Sequence, residues 1–155
     1  MRILISVLLL LIAFFVFAFV SKKKPFSQNN PGKQNDQGIQ FIEANWNKAI
    51  EEAKKQHKLI FLDAYASWCG PCRLLKRKTF PEKIAGDFFN KNFINVAIDM
   101  EQGDGPALSS KYGVNAYPTL IITDADGNII TYTQGYIEPK ELVAFGEHGL
   151  KESKR

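Results

Sequence analysis

Cys69 and Cys72, the only cysteines in the chain, are separated by Gly70-Pro71 and preceded by Trp68. The apolar run Leu59-Ile60-Phe61-Leu62 ahead of them reads as a buried strand. The basic run Arg73-Leu74-Leu75-Lys76-Arg77-Lys78 behind them reads as a helix. A cysteine pair at such a junction frames the chain as an α/β unit whose helix begins at the first thiol. Unpaired backbone N–H groups and the dipole at that helix start favour a thiolate on Cys69. A thiolate attacks disulfides, and a second thiol at Cys72 is near enough to close an internal bridge and release what the first has captured. The residues therefore point to redox chemistry. The alternative, a static bridge, would close a loop too small to stabilise much.

Other uses of these residues fit less well. Two cysteines do not make the disulfide framework of a small secreted domain. A zinc site would need His57 and His148, and neither has a His or Cys neighbour at ligand spacing, so no metal is expected. The chain has 155 residues, 45% hydrophobic and 23% charged, which suits an ordinary globular domain. Its net charge of +4 comes from scattered basic residues to which the ends contribute, in Lys22-Lys23-Lys24 and in the tail 151–155, with no interleaved aromatics. Solvated tails are expected there rather than a nucleic-acid surface.

Ile3 to Val20 is almost continuously apolar, with Ser6 its only polar residue. A helix of that length rises ~27 Å, close to the ~30 Å hydrocarbon core of a bilayer. Residues 1–21 are therefore expected to form a hydrophobic helix, an uncleaved anchor or a signal peptide with a cleavage site at Val16-Phe17-Ala18. Charge bias alone would hold Lys22 to Lys24 in the cytoplasm, whereas an export signal would place the domain in the periplasm or outside the cell. Residues 22–38, rich in Asn, Gln, Pro, Gly and Lys, read as a flexible linker.

From Ile39 the pattern becomes that of a folded domain. Ile39-Gln40-Phe41 alternates like a short strand. Asn45 caps a helix from Trp46 to about Lys55. Lys58 to Tyr65 is the strand that leads into the cysteines. The helix after Cys72 should break near Thr79-Phe80-Pro81 and resume over Glu82 to Asn90. Strands follow at Phe93–Ile98, Thr119–Thr123 and Asn128–Thr133, with a turn at Asp126-Gly127. Helices fall at Pro106–Tyr112, closed by Gly113, and at Pro139 to about Glu147. The result is an α/β sheet with helices on both faces and no internal repeat.

This order, together with Trp68-Cys69-Gly70-Pro71-Cys72, resembles the thioredoxin family over residues 39–150. Asp63 stands six residues before Cys69 in the expected central strand, and Lys111 to Leu120 matches the family segment that ends in a cis-proline followed by Thr. Gly127 and Gly135 fall where the family keeps a hairpin glycine and a strand-end glycine. The resemblance implies a three-layer α/β/α fold with a mixed central sheet. It implies that Cys69 is the nucleophile and that Cys72, more buried, resolves the mixed disulfide. It puts Asp63 beneath the cysteines, where burial raises its pKa and lets it accept the Cys72 proton.

Pro118, cis as in the family, would expose the Tyr117 backbone to a substrate chain. Trp68 and Tyr117 would rim the site, and Gly70-Pro71 set its turn in the manner of reducing members. Two departures stand out. Arg77 occupies the place of a helix-kinking proline, and Ala97 that of a buried lysine near Asp63, so the proton relay should be tuned differently. The stretch from Thr79 to Phe93 is similar to envelope thioredoxin-like domains, such as the carboxy-terminal domain of the transmembrane thiol:disulfide interchange protein.

The expected function is a thiol:disulfide oxidoreductase that reduces protein disulfides, without a bound cofactor, as a monomer. Its partners would be disulfide-containing proteins, an upstream thiol reductant and, through the amino-terminal segment, the membrane. The alternatives are a non-catalytic binding module, an isomerase or oxidant, and an anchored domain facing the cytoplasm.

Overall fold

The computed structural model describes residues 38–155. The hydrophobic helix expected over 1–21, and all of the expected linker except Gly38, lie outside the described residues. Among the described residues, no helix is long and apolar enough to cross a membrane.

The strand β2 (Leu59–Tyr65) is buried along its five middle residues, as a strand covered on both faces must be. Its side chains alternate: Ile60, Leu62 and Ala64 enter one core, and Phe61 enters the other, with Asp63 and Tyr65 on that same side. The five strands run in the order β1 (Ile42–Glu43), β3 (Phe93–Asp99), β2, β4 (Thr119–Thr123), β5 (Ile129–Gln134). The first three are mutually parallel, and β4 and β5 are antiparallel additions, so the sheet is mixed.

Helices α1 (Trp46–Gln56) and α4 (Gly105–Tyr112) cover the first face, packing Trp46, Ala49, Ala53 and Leu108 on β2 and β3. The second face is covered by the turn that follows α2 (Gly70–Leu74), through Leu75, and by α3 (Lys83–Asn92) and α5 (Pro139–Glu152). Its centre is aromatic: the Phe61 and Phe89 rings lie 4.5 Å apart, and Phe89 stacks on Phe93 at 5.1 Å. Each such buried ring contributes roughly 2–3 kcal/mol of transfer free energy, which fixes the sheet against α3.

Local chemistry explains the element ends. The Asn45 side chain accepts the Lys48 N–H at 2.9 Å and so caps α1. Glu138 and Glu141 form a capping box at the start of α5. Asp124, rather than Asp126-Gly127 alone, organises the hairpin turn, with Oδ1 accepting the N–H groups of Asp126 and Asn128 at 2.9 and 2.8 Å.

Three expectations are corrected. The first strand is not Ile39–Phe41 but Ile42–Glu43, because Ile39 N–H donates to the Phe80 carbonyl at 2.8 Å and Gln40 N–H to Asn90 Oδ1 at 2.9 Å. Those groups are drawn away from the sheet, and pairing with β3 starts only at Ile42. The helix at the carboxy end continues to Glu152, since Gly146 and Gly149 allow close packing instead of ending it. A Cβ on Gly146 would fall 2.5 Å from Phe88 Cε1, and one on Gly149 2.5 Å from Ile122 Cδ1. The run after Cys72 is not a plain α-helix: Leu75–Thr79 is a π-helical turn, in which Phe80 N–H donates to the Leu75 carbonyl at 2.9 Å. The wider turn spans the position where Arg77 stands in place of a proline.

Candidate active site

Cys69 terminates the loop after β2 and is the N-cap of α2, with Gly70 and Pro71 filling the first turn. Its Sγ accepts the Cys72 N–H at 3.1 Å, so one of the otherwise unpaired donors of the helix start is aimed at sulfur. Cys69 and Cys72 are joined as a disulfide with Cα atoms 5.3 Å apart. Both are 2% exposed, so the expected difference in burial between them is not seen in the oxidised state. They pack with Ala66, against Tyr65 and Tyr117. Gly70 and Pro71 are exposed at the turn.

The rim is more tightly tied than residue types alone indicate. Trp68 is 64% exposed, yet its Nε1–H donates to Glu101 Oε2 at 2.9 Å and its ring meets the edge of Tyr117 at 5.9 Å. The Arg73 guanidinium reaches back to the carbonyls of Trp68, at 2.9 Å, and Ser67, at 3.3 Å. The Tyr117–Pro118 peptide is cis, Pro118 is buried, and its carbonyl accepts the Gly135 N–H at 2.9 Å. Trp68, Tyr117 and the two cysteines thus form one cluster, flanked by Pro118.

Asp63 lies on β2, six residues before Cys69, on the strand that leads into the cysteine loop. It is 1% exposed and neither carboxyl oxygen has a hydrogen-bond partner. Burial pushes its pKa up to about 7; the Lys76 ammonium pulls in the opposite direction and Glu43 adds to the rise. The cleft that reaches Asp63 is lined by Glu43, Lys76, Ala97 and Phe80 among others, and the cysteines are not among its walls. Ala97 is the register partner of Asp63, on the neighbouring strand.

Sequence reasoning missed Lys76, Glu101, Arg73 and Glu43. Lys76 read as one member of a basic helical run, and only the π-helical turn shows which way it faces. Glu101 lies far from Trp68 in the chain and carries no local signal.

The profile described as a Thioredoxin-like domain matches residues 46–150, which hold the cysteines, the rim residues and Asp63. The chain belongs to the thioredoxin family. Thioredoxin H5 of Arabidopsis thaliana is 33% identical over 104 residues, covering 67% of this chain and 82% of the relative. Among solved structures, a candidate disulphide-isomerase from Bacteroides thetaiotaomicron is similar at 36% identity and a TM-score of 0.66, over 74% of this chain and 95% of the other. The carboxy-terminal domain of DsbD from Neisseria meningitidis, in its oxidised form, shares the fold with a TM-score of 0.59 at 21% identity, over 70% and 98% of the two chains. With the Cys69–Cys72 pair in place, this thioredoxin-family protein is a thiol:disulfide oxidoreductase.

Proposed function

We propose that the protein works as a reductase of protein disulfides, held at or exported across a membrane by residues 1–21. In the reduced enzyme the Cys69 thiolate attacks one sulfur of a substrate disulfide, forming a mixed disulfide and expelling the other substrate thiolate. Cys72 gives its proton to Asp63 and attacks Cys69. The second substrate thiol leaves, and the enzyme is oxidised by two electrons as the substrate is reduced by two. An upstream dithiol then returns the pair to the reduced state. Trp68 and Tyr117 supply an apolar rim for varied substrates, and the backbone beside Pro118 offers a strand edge.

The observation that carries this reading is the Cys72 N–H directed at Cys69 Sγ, which favours negative charge on one named sulfur. Placement at a membrane is supported by the apolar segment Ile3 to Val20. Insulin reduction driven by dithiothreitol tests the cycle. The enzyme should accelerate it and Cys69→Ser should not; equal rates would reject the reading. Similarity to the candidate isomerase supports a second activity, reshuffling of wrong disulfides, which recovery of activity from scrambled ribonuclease would measure.

A further inference from the structure

The register of the sheet aligns Glu43 of β1 with Ala97 of β3, and Ala97 with Asp63 of β2. Residues paired in this way project to one face, so the three form a row across the sheet. With strands ~4.8 Å apart, Glu43 and Asp63 are separated by roughly 10 Å of backbone, bridged only by the methyl group of Ala97. A cleft of about 290 Å³ lies over this row and opens to solvent beside Glu43 and Lys76, both of them exposed. Lys76 comes from the π-helical turn above. Its Nζ is held 3.3 Å from the centroid of the Tyr65 ring, and Tyr65 follows Asp63 by two residues on the same face of β2.

We propose that Lys76 is the positioning residue for Asp63: its ammonium, seated on Tyr65, stabilises the Asp63 carboxylate within the cleft over Ala97 and so sets the pH at which Cys72 can pass on its proton. The cation arrives from the helix side, and the neighbouring strand position holds only alanine. Glu43, across the row, opposes it. The remaining groups on the Asp63 side of the sheet are Tyr65 from its own strand, Leu120 of β4 and Ala97 of β3. The cysteines are joined to each other and do not titrate in this state. When Cys72–SH transfers its proton, Asp63 becomes a neutral acid. It regains its charge by releasing that proton to water in the cleft, on the side away from the bound substrate. The inference rests on the proton-acceptor role of Asp63 in the proposed cycle.

The test is the titration of the Asp63 carboxyl by carbon-13 NMR, in full-length oxidised protein in detergent micelles, with Asp63→Asn identifying the signal. Lys76→Met should move the midpoint to higher pH by about half a unit or more, Lys76→Arg should leave it near the wild-type value, and Glu43→Gln should move it lower. The pH–rate profile of single-turnover resolution should shift in the same directions. Midpoints that stay put in Lys76→Met, or that move the same way in both neutralising variants, would overturn the inference. The two readings fail separately. If Asp63→Asn resolves the mixed disulfide as fast as wild type while the carboxyl still shifts in opposite directions, the relay is wrong and the influence of Lys76 on Asp63 stands. If Asp63→Asn is slow but Lys76→Met leaves the midpoint alone, the relay stands and Lys76 has no part in it.

Discussion

The backbone N–H of Cys72 points at the Sγ of Cys69, 3.1 Å away, at the first turn of the helix that follows the central strand. A thiolate at that position gains a charge-assisted hydrogen bond that the thiol makes only weakly. Cys69 of the reduced enzyme should therefore titrate below the ordinary thiol value of ~8.5. The rate of iodoacetamide alkylation in Cys72→Ser should show a midpoint below about pH 8. A midpoint at or above the ordinary value would contradict the role given to this contact.

Asp63 makes stability depend on pH in a direction opposite to that of a salt-bridged aspartate. Its folded pKa is raised from 3.8 to about 7, so between those values the folded chain keeps a proton that the unfolded chain has lost. Stability from this group is full below about pH 4, declines as pH rises toward 7, and stays reduced above it. Asp63→Asn removes the titration and should be more stable than wild type at pH 8, by on the order of 4 kcal/mol, with little difference at pH 4. Urea unfolding of the oxidised proteins at both pH values checks this.

Trp68 should matter for protein substrates far more than for folding. It is 64% exposed, so Trp68→Ala should change stability by no more than about 1 kcal/mol. Loss of an aromatic anchor at the rim should raise KM for insulin about 5- to 30-fold, with kcat and the reduction of a small aromatic disulfide nearly unchanged. Steady-state kinetics with both substrates would separate the two effects.

The glycines of α5 are there for close approach. Gly146→Ala brings a methyl group onto Phe88 and Phe89, at about 1–3 kcal/mol of overpacking, against a gain of about 1 kcal/mol in helix propensity. The melting temperature should fall. Gly70, by contrast, has open space around its missing Cβ, and Gly70→Ala should leave the melting temperature close to wild type.

Much of the fold could be read from residue patterns because the central strands are short apolar runs and the helices have clear caps. Asn45, Gly113 and Pro139 each act at a helix end through a local bond or a fixed φ, and such signals survive in the sequence. The misplaced first strand shows the limit, since Ile39 and Gln40 are diverted by Phe80 and Asn90, residues remote in the chain. The cysteines, Trp68 and Tyr117 could be recognised by type and spacing. Lys76 could not, because a π-helical turn breaks the periodicity that would assign its direction. Glu101, after β3, and Arg73, in α2, hold the rim through bonds to Trp68 that no local pattern signals.

The most direct test of the account is to trap the first step. Cys72→Ser, incubated reduced with an oxidised protein substrate, should accumulate a mixed disulfide that mass spectrometry of the digested adduct locates at Cys69. The account predicts that adduct in high yield, with little or none from Cys69→Ser through Cys72. An adduct formed mainly through Cys72, or none from either variant, would contradict it.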